Sequence, residues 1–168
     1  LTLGGVGNGT VIENIEIISN SDDGIEIFGG NVNVNNILVY NSTDDAIDLD
    51  QAYSGTITNA FVIMGEIGDN VFEIDGTEST SNPVVTGSYT INGVTAIGNA
   101  NAAQSDTYGH WKAAATGANN NIVFKGFKSG NKPRFYNYQH SCFYFNFINK
   151  RSCRDYFYSN FWNWCKYL

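Results

Sequence analysis

Basic residues, cysteine and proline are scarce through most of this chain. Residues 1–127 hold only Lys112 and Lys125 as bases against 15 acids, a net charge of −13. Phosphate recognition needs a basic face, so nucleic acid is excluded as the main partner. The same stretch has no cysteine, which removes a disulfide framework and a thiolate zinc site. Its single histidine, His110, leaves no histidine pair for zinc. No apolar run approaches the ~20 residues of a membrane-spanning helix, so the segment contains none. No serine sits in a nucleophile elbow, and no glycine-rich phosphate loop opens a helix. Proline occurs 2 times and glycine 18 times in 168 residues, a balance suited to many turns between strands. The length fits one domain.

The composition changes abruptly near residue 128. Residues 128–168 carry seven bases and one acid, Asp155, a net of +6. They also hold all three cysteines (Cys142, Cys153, Cys165) and 14 of the 24 aromatics. An odd number of cysteines without metal-ligand spacing gives neither a disulfide framework nor a zinc site. The change divides the chain into a body, 1–127, and an irregular aromatic-rich tail, 128–168. From Asn131 onward, Phe, Tyr, Asn, Lys and Ile fill 22 of 38 positions, the residue types of A/T-rich codons. Two readings fit: an out-of-frame translation beginning around 128–142, or an aromatic cap over the last repeat.

The body repeats itself. Ile12–Ile17, Val34–Val39, Ile57–Val62, Ile91–Ala96 and Asn119–Phe124 superpose on one apolar frame. The third position of that frame reads Asn14, Asn36, Asn59, Gly93 and Asn121, spaced by 22, 23, 34 and 28 residues. A second block follows in three repeats: Asp22-Asp23-Gly24-Ile25-Glu26-Ile27, Asp44-Asp45-Ala46-Ile47-Asp48-Leu49 and Asp69-Asn70-Val71-Phe72-Glu73-Ile74. Strand alternation places Ile25, Ile47 and Phe72 on one side with Ile27, Leu49 and Ile74, and turns Glu26, Asp48 and Glu73 outward. Such a repeat is one coil of a solenoid, whose stacking aligns like residues ~4.8 Å apart. The asparagine column can then bond its amides along the stack. Polar stretches at 76–88 and 98–111 read as loops inserted between coils.

These stacked asparagine and aliphatic columns resemble the right-handed parallel β-helix of the pectin-lyase-like superfamily. The expected fold is therefore all-β, about five coils over residues 5–127. The Asp-Asp-Gly and Asp-Asp-Ala blocks resemble secreted or surface-anchored bacterial β-helix proteins, which implies a secreted or cell-surface location. The chain begins at Leu1, inside a Gly-rich turn and without methionine, and reads as a fragment.

The acids are the body's main chemistry, and ten of its 15 fall within 22–28, 44–50 and 69–75. Stacked, they form the columns Asp22–Asp44–Asp69, Asp23–Asp45, Glu26–Asp48–Glu73 and Asp50–Asp75. Two carboxylates ~4.8 Å apart repel by about 0.9 kcal/mol in water and roughly 3–4 kcal/mol at an effective dielectric of 20, so something must compensate. Three readings remain open. In the first, turn aspartates accept local backbone N–H bonds. In the second, Asp48, Asp50, Glu73 and Asp75 converge on calcium, which takes 6 to 8 oxygens. The third follows a resemblance to polygalacturonase-like hydrolases, which carry an Asn-Thr-Asp-Gly element and an Asp-Asp pair one coil later. Asp22-Asp23-Gly24 and Thr43-Asp44-Asp45 match that spacing, implying Asp23, Asp44 and Asp45 as catalytic carboxylates of an inverting glycoside hydrolase. Gly68-Asp69-Asn70 replaces the Gly-His-Gly element, no Arg-Ile-Lys element follows, and Lys112 and Lys125 lie far along the chain. His110 and Trp111 form a candidate sugar-stacking pair. The expected role is a non-catalytic module binding a polysaccharide or cell-surface component, with the hydrolase as alternative.

Overall fold

The structure, a computed structural model, describes residues 1–76, 87–99, 108–112 and 117–127, together with the backbone of two short strands further on. Twelve strands follow in chain order: β1 (Thr2–Gly4), β2 (Val11–Ile18), β3 (Ile25–Phe28), β4 (Asn33–Tyr40), β5 (Ile47–Asp50), β6 (Thr56–Ile63), β7 (Phe72–Ile74), β8 (Tyr89–Ile97), β9 (His110–Trp111), β10 (Gly117–Lys125), β11 (Arg134–Phe135) and β12 (Phe143–Phe145). Odd-numbered strands form one six-stranded sheet in the order β1-β3-β5-β7-β9-β11, and even-numbered strands form the other. Every pairing among the described strands is parallel, from β2 on β4 through β6 and β8 to β10 and from β1 on β3 through to β11. The chain therefore winds as a parallel β-helix, each coil giving one short and one long strand. Strands β11 and β12 add to both sheets beyond residue 127. The expectations of a frame change and of cysteine behaviour in the tail lie outside the described residues.

The asparagine column explains the shape of the long strands. Asn14, Asn36, Asn59 and Asn121 have φ of 58°, 55°, 60° and 54°, and Gly93 has 74°. These left-handed residues bend each long strand in its middle, and asparagine and glycine tolerate that region best. The ladder pairing skips them: Glu13 faces Asn35 and Ile15 faces Ile37, with no pair between. Inward positions therefore fall three apart across the bend and two apart after it, as in Val34, Ile37 and Val39 or Ile57, Ala60 and Val62, all buried. A uniform period of two from Val34 or Ile57 would have turned the other two residues of each set outward. Asparagine adds what glycine cannot. Asn36 Nδ2 donates to Asn14 Oδ1 at 3.0 Å, and Asn59 Nδ2 donates to Asn36 Oδ1 at 2.6 Å. Where Gly93 interrupts the ladder, Asn121 Nδ2 bonds Asn92 Oδ1 at 2.8 Å instead.

The short sheet supplies the other wall of the core. Ile25, Ile47 and Phe72 stack in one register column, and Ile27, Leu49 and Ile74 in the next, all buried. That second column continues into Trp111, which is 0% exposed. The expected sugar-stacking role of Trp111 is thereby corrected. Its indole packs 5.9 Å from Phe72, and Nε1 donates to the Tyr89 hydroxyl at 2.9 Å. Residues 110–111 are not loop, as the sequence pattern suggested, but the short strand β9 of the next coil. A wide indole fills an aliphatic position there, which hid the register. Asn119, fully buried, donates its amide to the same Tyr89 hydroxyl at 2.9 Å, so two donors converge on one phenol inside the core.

Candidate functional site

The acids gather on the outer face of the short sheet and in the turns that enter it. Strand pairing aligns Thr2, Glu26, Asp48, Glu73 and His110 in one outward column. Phe28 pairs with Asp50 in β5, and Asp75 and Lys112 directly follow the paired residues Ile74 and Trp111. The expected outward orientation holds, but the face is not freely solvated. Asp48, Asp50 and Asp75 are each at most 8% exposed.

The turn aspartates do structural work. Asp45 N–H donates to Asp23 Oδ1 at 3.0 Å, and Asn70 N–H donates to Asp45 Oδ1 at 2.7 Å. Each carboxylate of the column thus receives the backbone of the next coil, which is why Asp-Asp, Asp-Asp and Asp-Asn recur before β3, β5 and β7. Asp45 is 2% exposed, whereas Asp44 faces solvent and Asp23 is half-buried. Burial pushes the Asp23 carboxyl up to about 6 against the relief of the Asp45 N–H, with Asp44, Asp22 and Glu26 adding to the rise. Asp44 is raised by burial and then by Asp69, Asp22 and Glu73.

A carboxyl pair links this turn to the sheet. Asp45 is raised by its burial and by a hydrogen bond to Glu73. Burial acts on Glu73 in the same sense, but the Asp45 bond, Lys112 and His110 outweigh it and hold Glu73 below its ordinary range. The pair is thus pushed in opposite directions, Asp45 up by burial and Glu73 down by its hydrogen-bonding and cationic neighbours. Lys112 Nζ lies 3.1 Å from Glu73 Oε1 and 2.7 Å from Asp75 Oδ2, and His110 Nδ1 lies 3.4 Å from Glu73 Oε1. Lys112, distant in sequence, is in contact with the acids because β9 stacks on β7. That corrects the expectation of a face without nearby bases. His110 sits on the acid column, and its ring does not pair with Trp111 across a sugar site, because adjacent strand residues point to opposite faces.

Three groups of carboxylates have oxygens within 4.8 Å of one another among the described residues: Asp22 with Asp23 and Asp44, Asp23 with Glu26 and Asp48, and Asp44 with Asp45 and Asp69. Asp44 thus lies close to Asp23 in one group and to Asp45 in another, with Asp44 facing solvent and Asp45 enclosed. Of the quartet expected to hold calcium, only Asp48 joins such a group. Glu73 and Asp75 are instead bridged by the Lys112 ammonium, and Asp50 stands outside the three groups. Glu26, Asp22 and Asp69 were not singled out as ligands from sequence, although their columns were visible there. Burial pushes Asp48 up to about 9, with Asp50, Asp23, Glu73 and Asp75 adding repulsion.

No curated protein and no solved structure matches the chain. A family model described as a pectate-lyase-like β-helix domain matches residues 1–138. With its parallel coils, asparagine ladder and acid-lined short sheet, the chain belongs to the pectate-lyase-like β-helix domain family.

Proposed function

We propose that this chain is a non-catalytic, polysaccharide-binding module of an exported cell-surface protein. The family fits a carbohydrate-related role. The observation that carries the non-catalytic reading is the engagement of the carboxylates a hydrolase would need. Asp45 is enclosed with its Oδ1 on the Asn70 N–H, and Asp23 Oδ1 is held by the Asp45 N–H. A general acid must reach the glycosidic oxygen, and a carboxyl enclosed in a turn does not. Export and surface attachment rest on the likeness of the Asp-Asp-Gly blocks to secreted β-helix proteins.

The surface offered to a glycan is a cleft of about 460 Å³ at the ends of β4 and β6, lined by Tyr40, Asn41, Ile63, Glu66 and Asn99 among others. Tyr40 is 45% exposed, so one aromatic face stands beside amide and carboxylate groups. Apolar stacking with a few polar anchors is how such clefts hold sugars. Electrophoresis through gels containing a panel of neutral and acidic polysaccharides tests this. Retardation by at least one polymer, weakened about tenfold or more in Tyr40→Ala, is expected. Unretarded migration across the panel would overturn the reading.

A carboxylate hydrolase is the second reading, favoured by one observation. Asp44 faces solvent with carboxylate oxygens within 4.8 Å of Asp22 and Asp23 on one side and of Asp45 and Asp69 on the other, the close carboxylates such a reaction uses.

A further inference from the structure

The outer face of the long sheet changes character at the asparagine bend. Before the bend, β4, β6 and β8 turn amides and hydroxyls outward: Asn33 and Asn35, Thr56 and Thr58, Thr90 and Asn92. After it, β4 turns Leu38 and Tyr40 outward, and β6 turns Phe61 and Ile63. A strand with one solvated face ordinarily keeps that face polar. Register aligns Ile18, Tyr40, Ile63 and Ile97 as one column across four consecutive coils. Ile18 is 56% exposed, Tyr40 45% and the neighbouring Phe61 40%. At about 4.8 Å per coil, the column extends about 14 Å along the helix axis. A contiguous apolar stripe with a polar border marks a binding surface. The stripe also runs through the cleft already described. Tyr40 with Asn41, Ile63 with Met64, and Gly98 with Asn99 line that cleft from three consecutive coils, so it too extends along the axis. Gly65 on its wall leaves room for the Asn41 amide, with which any side chain at 65 would collide. Asn41 Nδ2 donates to Ser19 Oγ at 3.1 Å, which holds the amide in place.

We infer that the polysaccharide is an uncharged, extended chain lying along the helix axis over Ile18, Tyr40, Ile63 and Ile97, with successive rings over successive coils. The inference rests on the reading of the Tyr40 cleft as a glycan site and names the ligand class of that site. Charge decides the class. Glu66 is the one charged residue lining the cleft among the described residues. Asp44 and Asp69 follow Asn41 and Glu66 by three residues, so their backbones lie within about 11 Å of the lining. Lys112 is engaged with Glu73 and Asp75, and Lys125 stands at one end of the stripe as the register partner of Ile97. A polyuronate carries a carboxylate on every ring and would meet these acids with one lysine at the stripe's end. An uncharged pyranose chain brings apolar ring faces to the stripe and hydroxyls at the ring edges to the Asn41 and Asn99 amides. One coil is close in length to one pyranose unit of an extended chain, so the contacts repeat in step. A second protein molecule is a poorer occupant, because the stripe is two columns wide and a stable protein interface takes roughly 20–30 residues a side. The surface uses no carboxylate of the short sheet.

Affinity electrophoresis of the full chain through gels containing hydroxyethylcellulose or polygalacturonate tests this, with sedimentation velocity alongside. Hydroxyethylcellulose should retard the chain, and polygalacturonate should bind at least about tenfold more weakly. Ile18→Ser and Ile97→Ser, one rung to either side of Tyr40 and Ile63, should each weaken retardation about threefold or more. Thr58→Ala, on the polar half of the same face, should stay within about twofold of the parent. Ile18 is mostly exposed, so Ile18→Ser should melt within about 4 °C of the parent, which separates a lost contact from a lost fold. Tighter retardation by polygalacturonate than by hydroxyethylcellulose overturns the inference and leaves the polysaccharide reading standing. So does retardation lost in Tyr40→Ala but unchanged in both Ile18→Ser and Ile97→Ser, which would confine the ligand to the cleft. Self-association of the parent, lost in Ile18→Ser and unaccompanied by retardation, would give the stripe to a second copy and overturn it. Unretarded migration with every polymer overturns both this inference and the polysaccharide reading.

Discussion

Asn36 is the central rung of the exposed amide ladder, and its replacement separates two contributions that the fold combines. Its side chain donates to Asn14 and accepts from Asn59, and its backbone sits at φ 55°. Alanine at this position loses both bonds and carries an ordinary side chain into the left-handed region. Two solvent-exposed amide bonds contribute about 0.5 kcal/mol each, the low end of the range because water competes. The left-handed conformation costs alanine about 1–2 kcal/mol. Asn36→Ala should therefore destabilise by about 2–3 kcal/mol. Asn36→Gly loses the same bonds without the conformational cost, as Gly93 shows the column permits, and should destabilise by about 1 kcal/mol. Urea unfolding followed by far-UV circular dichroism, at unchanged slope, measures both. The ordering is the diagnostic result. Alanine as mild as glycine would refute the account in which the left-handed bend, more than the ladder, requires asparagine.

Other outcomes follow from the acid face. In EDTA, Asp23, with its carboxyl raised to about 6, binds its proton more tightly when folded, so its contribution is full below pH ~4 and is lost by pH ~6; Asp48, raised to about 9, extends the loss upward. Glu73, lowered, acts in the opposite sense as pH falls through its own range, but the raised groups Asp23, Asp44, Asp45 and Asp48 outnumber it. Stability in EDTA should therefore fall from pH 5 to pH 8, and a flat or rising profile by thermal melting would contradict this. Asp45→Ala strands the enclosed Asn70 N–H and should cost about 1–3 kcal/mol in urea unfolding, whereas Asp45→Asn, which keeps an acceptor, should cost less than half of that. Trp111→Ala empties a fully buried indole position and should cost about 3–5 kcal/mol, or unfold the coil around β9; a change under 1 kcal/mol would place the ring at the surface after all.

The columns were legible in sequence because stacking repeats the same residue at the same place. The aliphatic pairs Ile25/Ile27 and Ile47/Leu49 and the acids between them occupy the register that their spacing implied, and Asn14, Asn36 and Asn59 align through their side-chain amides. The bend was not legible, because side-chain identity alone does not distinguish an amide that ladders from one that also turns the backbone. Trp111 was misread because an aromatic replaced an aliphatic in a two-residue strand, leaving nothing to align. Lys112 was missed for the same reason. Once β9 is placed on β7, Lys112 follows Trp111 and lands on Asp75, a contact between residues 37 apart in sequence. The turn aspartates show the opposite lesson. Their spacing also serves coil-to-coil N–H bonds, so spacing alone does not separate a scaffold from a catalytic group.

Release of reducing ends from polysaccharides that retard the chain tests most directly whether the acid face is scaffold or catalyst. The account predicts binding with no release above the buffer blank in the parent and in Asp44→Asn alike. Steady release by the parent, lost in Asp44→Asn while binding is kept, would contradict it.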